Sequence, residues 1–136
     1  MKVILNKCFG GFGVSYEAVM MYCEKKGIDV YPYYSKSMHK YAIGKSDKMS
    51  MNQRYFTEYF GDEVDGSDID WNKSIHIGSD FREDPVLIDV VETLGPKASD
   101  TYAELVVVEI PDELKDNYVI NEYDGIETLH ENVPCW

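Results

Sequence analysis

The chain has 136 residues, with 13 Lys and Arg against 25 Asp and Glu, and its formal net charge is -12. This length suits one domain with a substantial core, and a hydrophobic content of 44% argues against a disordered chain. No apolar run approaches the roughly 18 residues of a membrane-spanning helix, and the amino terminus turns polar too soon for a secretion signal. Such an acidic chain is not expected to bind long nucleic acids or anionic membranes nonspecifically. We therefore expect a cytoplasmic protein.

The charge is divided unevenly along the chain. Residues 1–50 hold eight Lys and four acidic residues, a net charge of +4, whereas residues 51–136 hold five basic and 21 acidic residues, a net charge of -16. One interpretation is a solvated acidic face that keeps the protein in solution. In the other, the basic half faces an anionic ligand and the acidic half faces water or a basic protein.

The chain opens with a predicted strand at 2–6, a glycine-rich turn and a helix. Ser15 is a favourable N-cap for this helix, and Gly27 supplies a left-handed stop. A second strand is predicted at 28–34, where a proline favours an edge position or a short element. Strand, turn, helix and strand together resemble the opening of a βαβ unit. The apolar stripe of the helix, at i, i+3, i+4 and i+7, consists of Tyr16, Val19, Met20 and Cys23.

Residues 35–79 are the least regular stretch, which we interpret as an insertion over the core. Residues 55–60 of this stretch are densely aromatic, and an acidic loop follows at 61–70. The segment 74–77 is a candidate strand. We expect this part of the chain to carry little regular structure.

Regular elements resume with a second amphipathic helix. Asp84 is its predicted N-cap, Pro85 is its first residue, and Gly95-Pro96 ends it. A buried strand at 104–110 follows, and a hairpin of 118–123 and 126–130 is predicted about Asp124-Gly125, a dipeptide typical of two-residue turns. We predict a single α+β domain over 1–136, with two amphipathic helices packed on a mixed β-sheet and a C-terminal hairpin.

The glycine-rich turn is the most informative local motif. A strand, then glycines, then a serine-capped helix would present backbone N–H groups and the positive end of a helix dipole to an anion, and Lys7 would add charge. The turn lacks the Gly-Lys-Ser/Thr of a Walker loop, and Tyr16 occupies the third glycine position of a dinucleotide fingerprint. Alternatively, the glycines only permit a tight turn between strand and helix. The glycines of the motif are Gly10, Gly11 and Gly13.

Aromatic and basic side chains are interleaved in the segment that follows. Rings that stack on bases, beside cations that meet phosphates, would suit a small nucleotide better than a long polyanion. The alternative is that these rings pack in a core or an interface. The candidate ring residues are Tyr31, Tyr33 and Tyr55, and the candidate phosphate-binding residues are Arg54 and Arg82.

Other chemistries find little support in the sequence. Three cysteines without a Cys-x-x-Cys pair argue against a disulfide framework, and three scattered histidines argue against a zinc site. The acidic loop does not have calcium-ligand spacing, and no nucleophile motif is present. Cys8 lies close to the glycine turn, where packing is favoured over reactivity. We expect no bound metal, no cofactor and no catalytic residue, and we favour a protein that is not an enzyme.

Four segments resemble small proteins encoded by phages and prophages of Gram-positive bacteria. They are KVILNKCFGGFGVS at 2–15, REDPVLI at 82–88 with VETLG at 91–95, VVEIPD at 107–112, and EYDGIE at 122–127. The resemblance covers roughly residues 2–34 and 80–131. It implies a phage accessory protein made in the bacterial cytoplasm, where such proteins commonly counter host defences and some sequester nucleotide immune signals.

Three functional hypotheses follow. The first is a non-enzymatic binder that sequesters a small phosphorylated ligand, such as a nucleotide immune signal, in a pocket enclosed by a homodimer or larger oligomer. The second is an acidic protein-interaction inhibitor, in which the segment 51–136 mimics nucleic acid and blocks a basic groove on a host protein. The third is a nucleotide hydrolase, which no motif supports.

Overall fold

The computed structural model describes residues 1–46 and 53–131, so part of the predicted insertion and Cys135 lie outside the described residues. Within those ranges the chain forms two α-helices and eight strands, which confirms the α+β class. Short 3-10 turns connect several of these elements. The elements are β1 (Lys2–Asn6), α1 (Tyr16–Lys26), β2 (Tyr31–Ser37), β3 (Lys40–Ile43), β4 (Gln53–Phe56), β5 (Glu63–Asp65), α2 (Pro85–Leu94), β6 (Leu105–Glu109), β7 (Tyr118–Tyr123) and β8 (Ile126–Glu131).

The strands are divided among three antiparallel sheets in the described part of the chain, in place of the single mixed sheet that we predicted. β1 pairs with β6, β7 pairs with β8, and the remaining strands have the order β4-β2-β3-β5. Because β1 and β2 belong to different sheets, the βαβ-like opening does not form. Pairing of β1 with β6 brings Ile4 opposite Val107, a contact that the local pattern does not encode.

The first helix follows its sequence signals. The Ser15 hydroxyl accepts the Ala18 N–H at 3.1 Å, and Gly27 ends the helix with a φ of 69°. The buried face is rotated from the predicted stripe, since Tyr22 is buried whereas Met20 is only half-buried. This rotation directs the Tyr22 side chain toward the second helix.

The second helix also begins as predicted. Its N-cap Asp84 accepts the Val86 N–H at 2.8 Å, and Pro85 occupies the first turn. The Tyr22 hydroxyl donates to the other carboxylate oxygen of Asp84 at 2.7 Å, which ties α1 to the start of α2. Burial, together with this carboxylate, raises the pKa of Tyr22 well above its ordinary value.

Strand β1 is the centre of the core. Val3 and Ile4 have no exposed surface, and Leu5 is 2% exposed. Ile4 packs with both helices, whereas Val3 and Leu5 point to the other face, where Ile120 and Leu129 of the β7–β8 hairpin cover them. The two-stranded sheet therefore lies between a layer of helices and the hairpin.

Much of the stretch predicted to be irregular is a four-stranded sheet with its own aromatic core. Tyr33 and Phe56 are fully buried, with ring centroids 5.7 Å apart. A bulge between Ser35 and Ser37, and His39 at a φ of 67°, interrupt the alternation that would identify these strands. Pro32 lies in an inner strand, not at an edge, and precedes the first residue of β2 that pairs with β3.

The candidate strand at 74–77 forms only a single bridge, between Ser74 and Phe56. The Ile75 N–H donates to the Tyr55 carbonyl at 2.9 Å, and Ile77 is buried in the helical core. The C-terminal hairpin is confirmed, with Asp124 and Gly125 both at positive φ. The single domain over 1–136 stays a prediction.

Candidate functional site

A cleft of about 410 Å³ lies between the glycine-rich turn and strand β4. Phe12 and Gly13 form one wall, and Arg54 and Tyr55 form the other. A recess of about 520 Å³ at the start of α1 adjoins this cleft, since Asp100 lines both. We call the combined surface the α1 cleft; its principal residues are Phe12, Gly13, Tyr16, Glu17, Lys45, Arg54, Tyr55, Lys97 and Asp100.

Two tyrosine rings meet in the α1 cleft. The centroids of Tyr16 and Tyr55 are 6.3 Å apart, with an angle of 35° between the ring planes. Lys45 Nζ lies 5.5 Å from the centroid of the Tyr16 ring. Burial and, next, the Asp100 charge raise the pKa of Tyr55, so its phenol stays a neutral hydrogen-bonding group at physiological pH. The pair offers ring surface beside a cation.

The α1 cleft is positive although the protein is acidic. Among the described residues, its lining contains three cations, Lys45, Arg54 and Lys97, and two carboxylates, Glu17 and Asp100, which sum to +1. Lys45 and Glu17 form an ion pair. Their hydrogen bond raises the pKa of Lys45 and lowers that of Glu17, so both groups are charged at neutral pH.

The N-terminal end of α1 lies beside the recess and is already capped. Ser15 accepts the Ala18 N–H and donates its own hydroxyl proton to the Lys97 carbonyl at 2.6 Å. The Glu17 carboxylate also accepts its own backbone N–H, a second cause of its lowered pKa after Lys45. Because side chains already accept these backbone N–H groups, binding of an anion at this end of the helix would depend chiefly on the side-chain cations.

Close packing explains Gly10 and Gly13 of the turn, whereas Gly11 has a φ of 92°. A β-carbon on Gly10 would lie 2.0 Å from the Tyr102 carbonyl oxygen, and one on Gly13 would lie 3.0 Å from the Asp100 β-carbon. One on Gly125 would lie 2.5 Å from the Gly11 nitrogen. The turn is packed between the segment before β6 and the tip of the β7–β8 hairpin. These contacts favour the interpretation of the glycines as a tight turn.

Exposed Lys7 and partly buried Arg82 both contact the buried residue Glu127, and neither lines the α1 cleft. We call the contacts around Glu127 the buried polar cluster. The Arg82 guanidinium makes two bonds to the Glu127 carboxylate, at 2.8 and 3.2 Å, and a third to the Ile4 carbonyl at 3.1 Å. Lys7 Nζ donates to the Glu127 carbonyl at 2.7 Å. The Arg82 guanidinium carbon also lies 5.3 Å from the centroid of the Phe12 ring. Both cations thus help to hold the fold together.

Tyr31 and Tyr33 belong to the four-stranded sheet. Tyr33 is fully buried, its hydroxyl donates to the Gly61 carbonyl at 2.9 Å, and its ring face is covered by neighbouring aromatic side chains. The Tyr31 ring lies 5.9 Å from that of Tyr59. Of the predicted site residues, the structure brings together Gly13, Arg54 and Tyr55, and it places the others at the buried polar cluster, in the turn or in this sheet.

Sequence reasoning did not single out Tyr16, Lys45 or Lys97 as site residues. Tyr16 fits the helix stripe, and its role at the site depends on Tyr55, which is 39 positions away along the chain. Lys45 lies among the lysines that are interleaved with aromatic residues, and this pattern is the signal by which the sequence could have identified it as a site residue. Lys97 follows the Gly-Pro stop of α2 and lines the recess beside Ser15, whose hydroxyl donates to the Lys97 carbonyl.

The described residues contain no group of three His, Cys, Asp or Glu side chains placed to hold a metal ion. Cys8 is partly exposed, and burial raises the pKa of the Cys23 thiol. Across residues 1–46 and 53–131, no helix has both the length and the apolar character needed to cross a membrane.

Comparison of the chain with protein-family models, curated proteins and solved structures finds no match in any of the three.

Proposed function

We propose that the protein binds and sequesters a small phosphorylated ligand with a planar ring, of the nucleotide class, in the α1 cleft. One observation carries the proposal: the Tyr16–Tyr55 ring pair shares a cleft with Lys45, Arg54 and Lys97, in a chain whose net charge is -12. The resemblance to phage proteins extends the proposal to a nucleotide immune signal, captured in the cytoplasm of a bacterial host.

In this proposal the base packs on exposed surface of the tyrosine pair, an interaction worth about 1–3 kcal/mol per base. The phosphate approaches Lys45 and Lys97, and Arg54 offers a planar fork to it. Since Lys45 already pairs with Glu17, a phosphate must compete with that carboxylate. Lys45 and Arg54 are both exposed, so a second copy of the chain would enclose the ligand more completely. We therefore propose a homodimer or a larger oligomer as the sequestering form.

The test is calorimetric titration of the purified protein with AMP, GMP and cyclic di-AMP. Lys45→Ala should weaken binding of the preferred nucleotide by about 5-fold or more, because a charged contact in the cleft is lost. Lys36→Ala is the matched control, since Lys36 forms a similar surface pair with Glu63 away from the cleft and should change nothing. Equal affinity for the wild type and Lys45→Ala would exclude this site.

The fate of the ligand separates sequestration from hydrolysis. Native mass spectrometry of protein purified from a bacterial host measures the oligomer mass and any retained small molecule. Denaturation of that complex should return the ligand intact. Recovery of a cleaved nucleotide would instead identify a hydrolase.

The acidic-inhibitor hypothesis is supported by one surface. Asp62, Glu63, Asp65 and Asp68 are all exposed on and around the edge strand β5, where a basic groove could reach them. Replacing these four residues with Asn or Gln should remove salt-sensitive binding to polylysine if this surface is the interface. Unchanged binding would exclude it.

A further inference from the structure

Three large aromatic side chains are exposed at the end of the molecule where β1 leads into the glycine turn. Phe9 is 64% exposed, Tyr102 is 50% exposed and Tyr123 is 81% exposed. They come from three separate segments: the glycine turn, the loop before β6 and the tip of the β7–β8 hairpin. Single exposed aromatics are common on protein surfaces, whereas several on neighbouring segments are typical of an interaction site.

The three segments are held together by backbone packing. A β-carbon on Gly10 would lie 2.0 Å from the Tyr102 carbonyl oxygen, and one on Gly125 would lie 2.5 Å from the Phe9 carbonyl oxygen. Buried Asn6 donates both to the Cys8 carbonyl and to the Gly125 carbonyl at 2.7 Å. The aromatic side chains are therefore presented by a cross-linked base. We call Phe9, Tyr102 and Tyr123 the aromatic end.

The surroundings of the aromatic end are acidic. The segments 7–11, 101–104 and 122–125 contain one base, Lys7, and three acids, so their net charge is +1 - 3 = -2. Lys7 is bound to the Glu127 carbonyl. The three acids, Glu104, Glu122 and Asp124, are all exposed. An aromatic surface with a carboxylate rim is complementary to cations and not to phosphates.

We propose that the aromatic end docks an arginine-bearing segment of a partner protein. A guanidinium stacks flat on an aromatic ring and forms two parallel bonds with a carboxylate, so arginine uses both features of this surface where lysine uses each less well. The proposal is independent of the α1 cleft, which carries the opposite charge and lies between the turn and β4. The protein would thus present one surface to an anion and another to a cationic protein.

The test uses a hexa-arginine peptide as the probe and amide chemical shifts of the labelled protein as the map. The peptide should shift amides of residues 8–11, 101–104 and 122–125. Tyr123→Ala should weaken this binding by about 2- to 5-fold, the loss expected for an exposed cation–π contact. Tyr123→Phe should retain most of it, and hexa-lysine should bind more weakly than hexa-arginine.

Tyr59→Ala is the matched control. Tyr59 is 51% exposed and its hydroxyl donates to Asp62 at 2.7 Å, so it also combines a ring with an acid, but it lies by the four-stranded sheet. Tyr59→Ala should leave the affinity for hexa-arginine unchanged. The proposal is overturned if both alanine variants lose affinity equally, or if the shifts fall on residues 62–70. Because Tyr123 is so exposed, its variants should unfold at the wild-type temperature.

Discussion

Replacing the buried residue Glu127 with alanine should destabilise this protein more than replacing an exposed carboxylate. Glu127 is 7% exposed on β8. Its carboxylate accepts two bonds from Arg82 and one from the Asn6 backbone N–H at 2.8 Å. Arg82 in turn donates to the Ile4 carbonyl, so this one carboxylate joins β8, β1 and the segment before α2.

The magnitude follows from what the substitution leaves behind. In Glu127→Ala the Arg82 guanidinium stays buried, with its side chain only 13% exposed, and its countercharge is lost. The Asn6 N–H, which is wholly buried, loses its acceptor. Breaking one partner of a buried ion pair costs about 3–5 kcal/mol, and the orphaned N–H accounts for roughly 1–3 kcal/mol within that loss. We expect a decrease of about 3–5 kcal/mol in the free energy of unfolding.

Urea unfolding followed by circular dichroism measures this change, provided that the slope m is the same in wild type and variant. Glu127→Gln should lower the free energy of unfolding by less than Glu127→Ala does, because an amide oxygen still accepts one of the hydrogen bonds. Glu131→Ala, on the same strand but exposed, is the control and should stay within about 0.5 kcal/mol of wild type. A loss below about 1 kcal/mol for Glu127→Ala would show that Arg82 is solvated in the native protein and would refute the reasoning.

Two further predictions concern the turn and the hairpin. Gly10→Ala should lower the free energy of unfolding by at least about 1–3 kcal/mol, because its β-carbon would clash with Tyr102. Gly11 meets no atom within 4 Å but has a φ of 92°, so Gly11→Ala should lower the free energy of unfolding by roughly 1 kcal/mol. Thermal unfolding measures both changes. Burial and the Glu83 carboxylate raise the pKa of Tyr118 to about 12, so the unfolding free energy should decline as pH rises from the unfolded pKa near 10 toward 12. Tyr118→Phe should flatten that decline, and a wild-type slope in the variant would contradict the assignment.

The two helices and the hairpin could be predicted because their signals are local. Ser15, Gly27 and Asp84 cap their own helices through bonds that span only a few residues. Asp124-Gly125 adopts the positive φ angles that a two-residue turn requires. Such interactions are present in the sequence itself, so no knowledge of distant segments is needed to find them.

Only the tertiary structure decides the sheets and the site. The pairing of β1 with β6 and the covering of Val3 by the hairpin join segments about a hundred residues apart, and many registers satisfy the same apolar patterns. Likewise, Arg54 and Tyr55 were candidates because aromatic and basic residues are interleaved along the chain, but their position beside Tyr16 depends on how β4 packs beside α1. The ion pair of Arg82 with Glu127 depends in the same way on the hairpin folding back over β1. Charge counts identify the cations, whereas tertiary packing determines which cleft or cluster each of them joins.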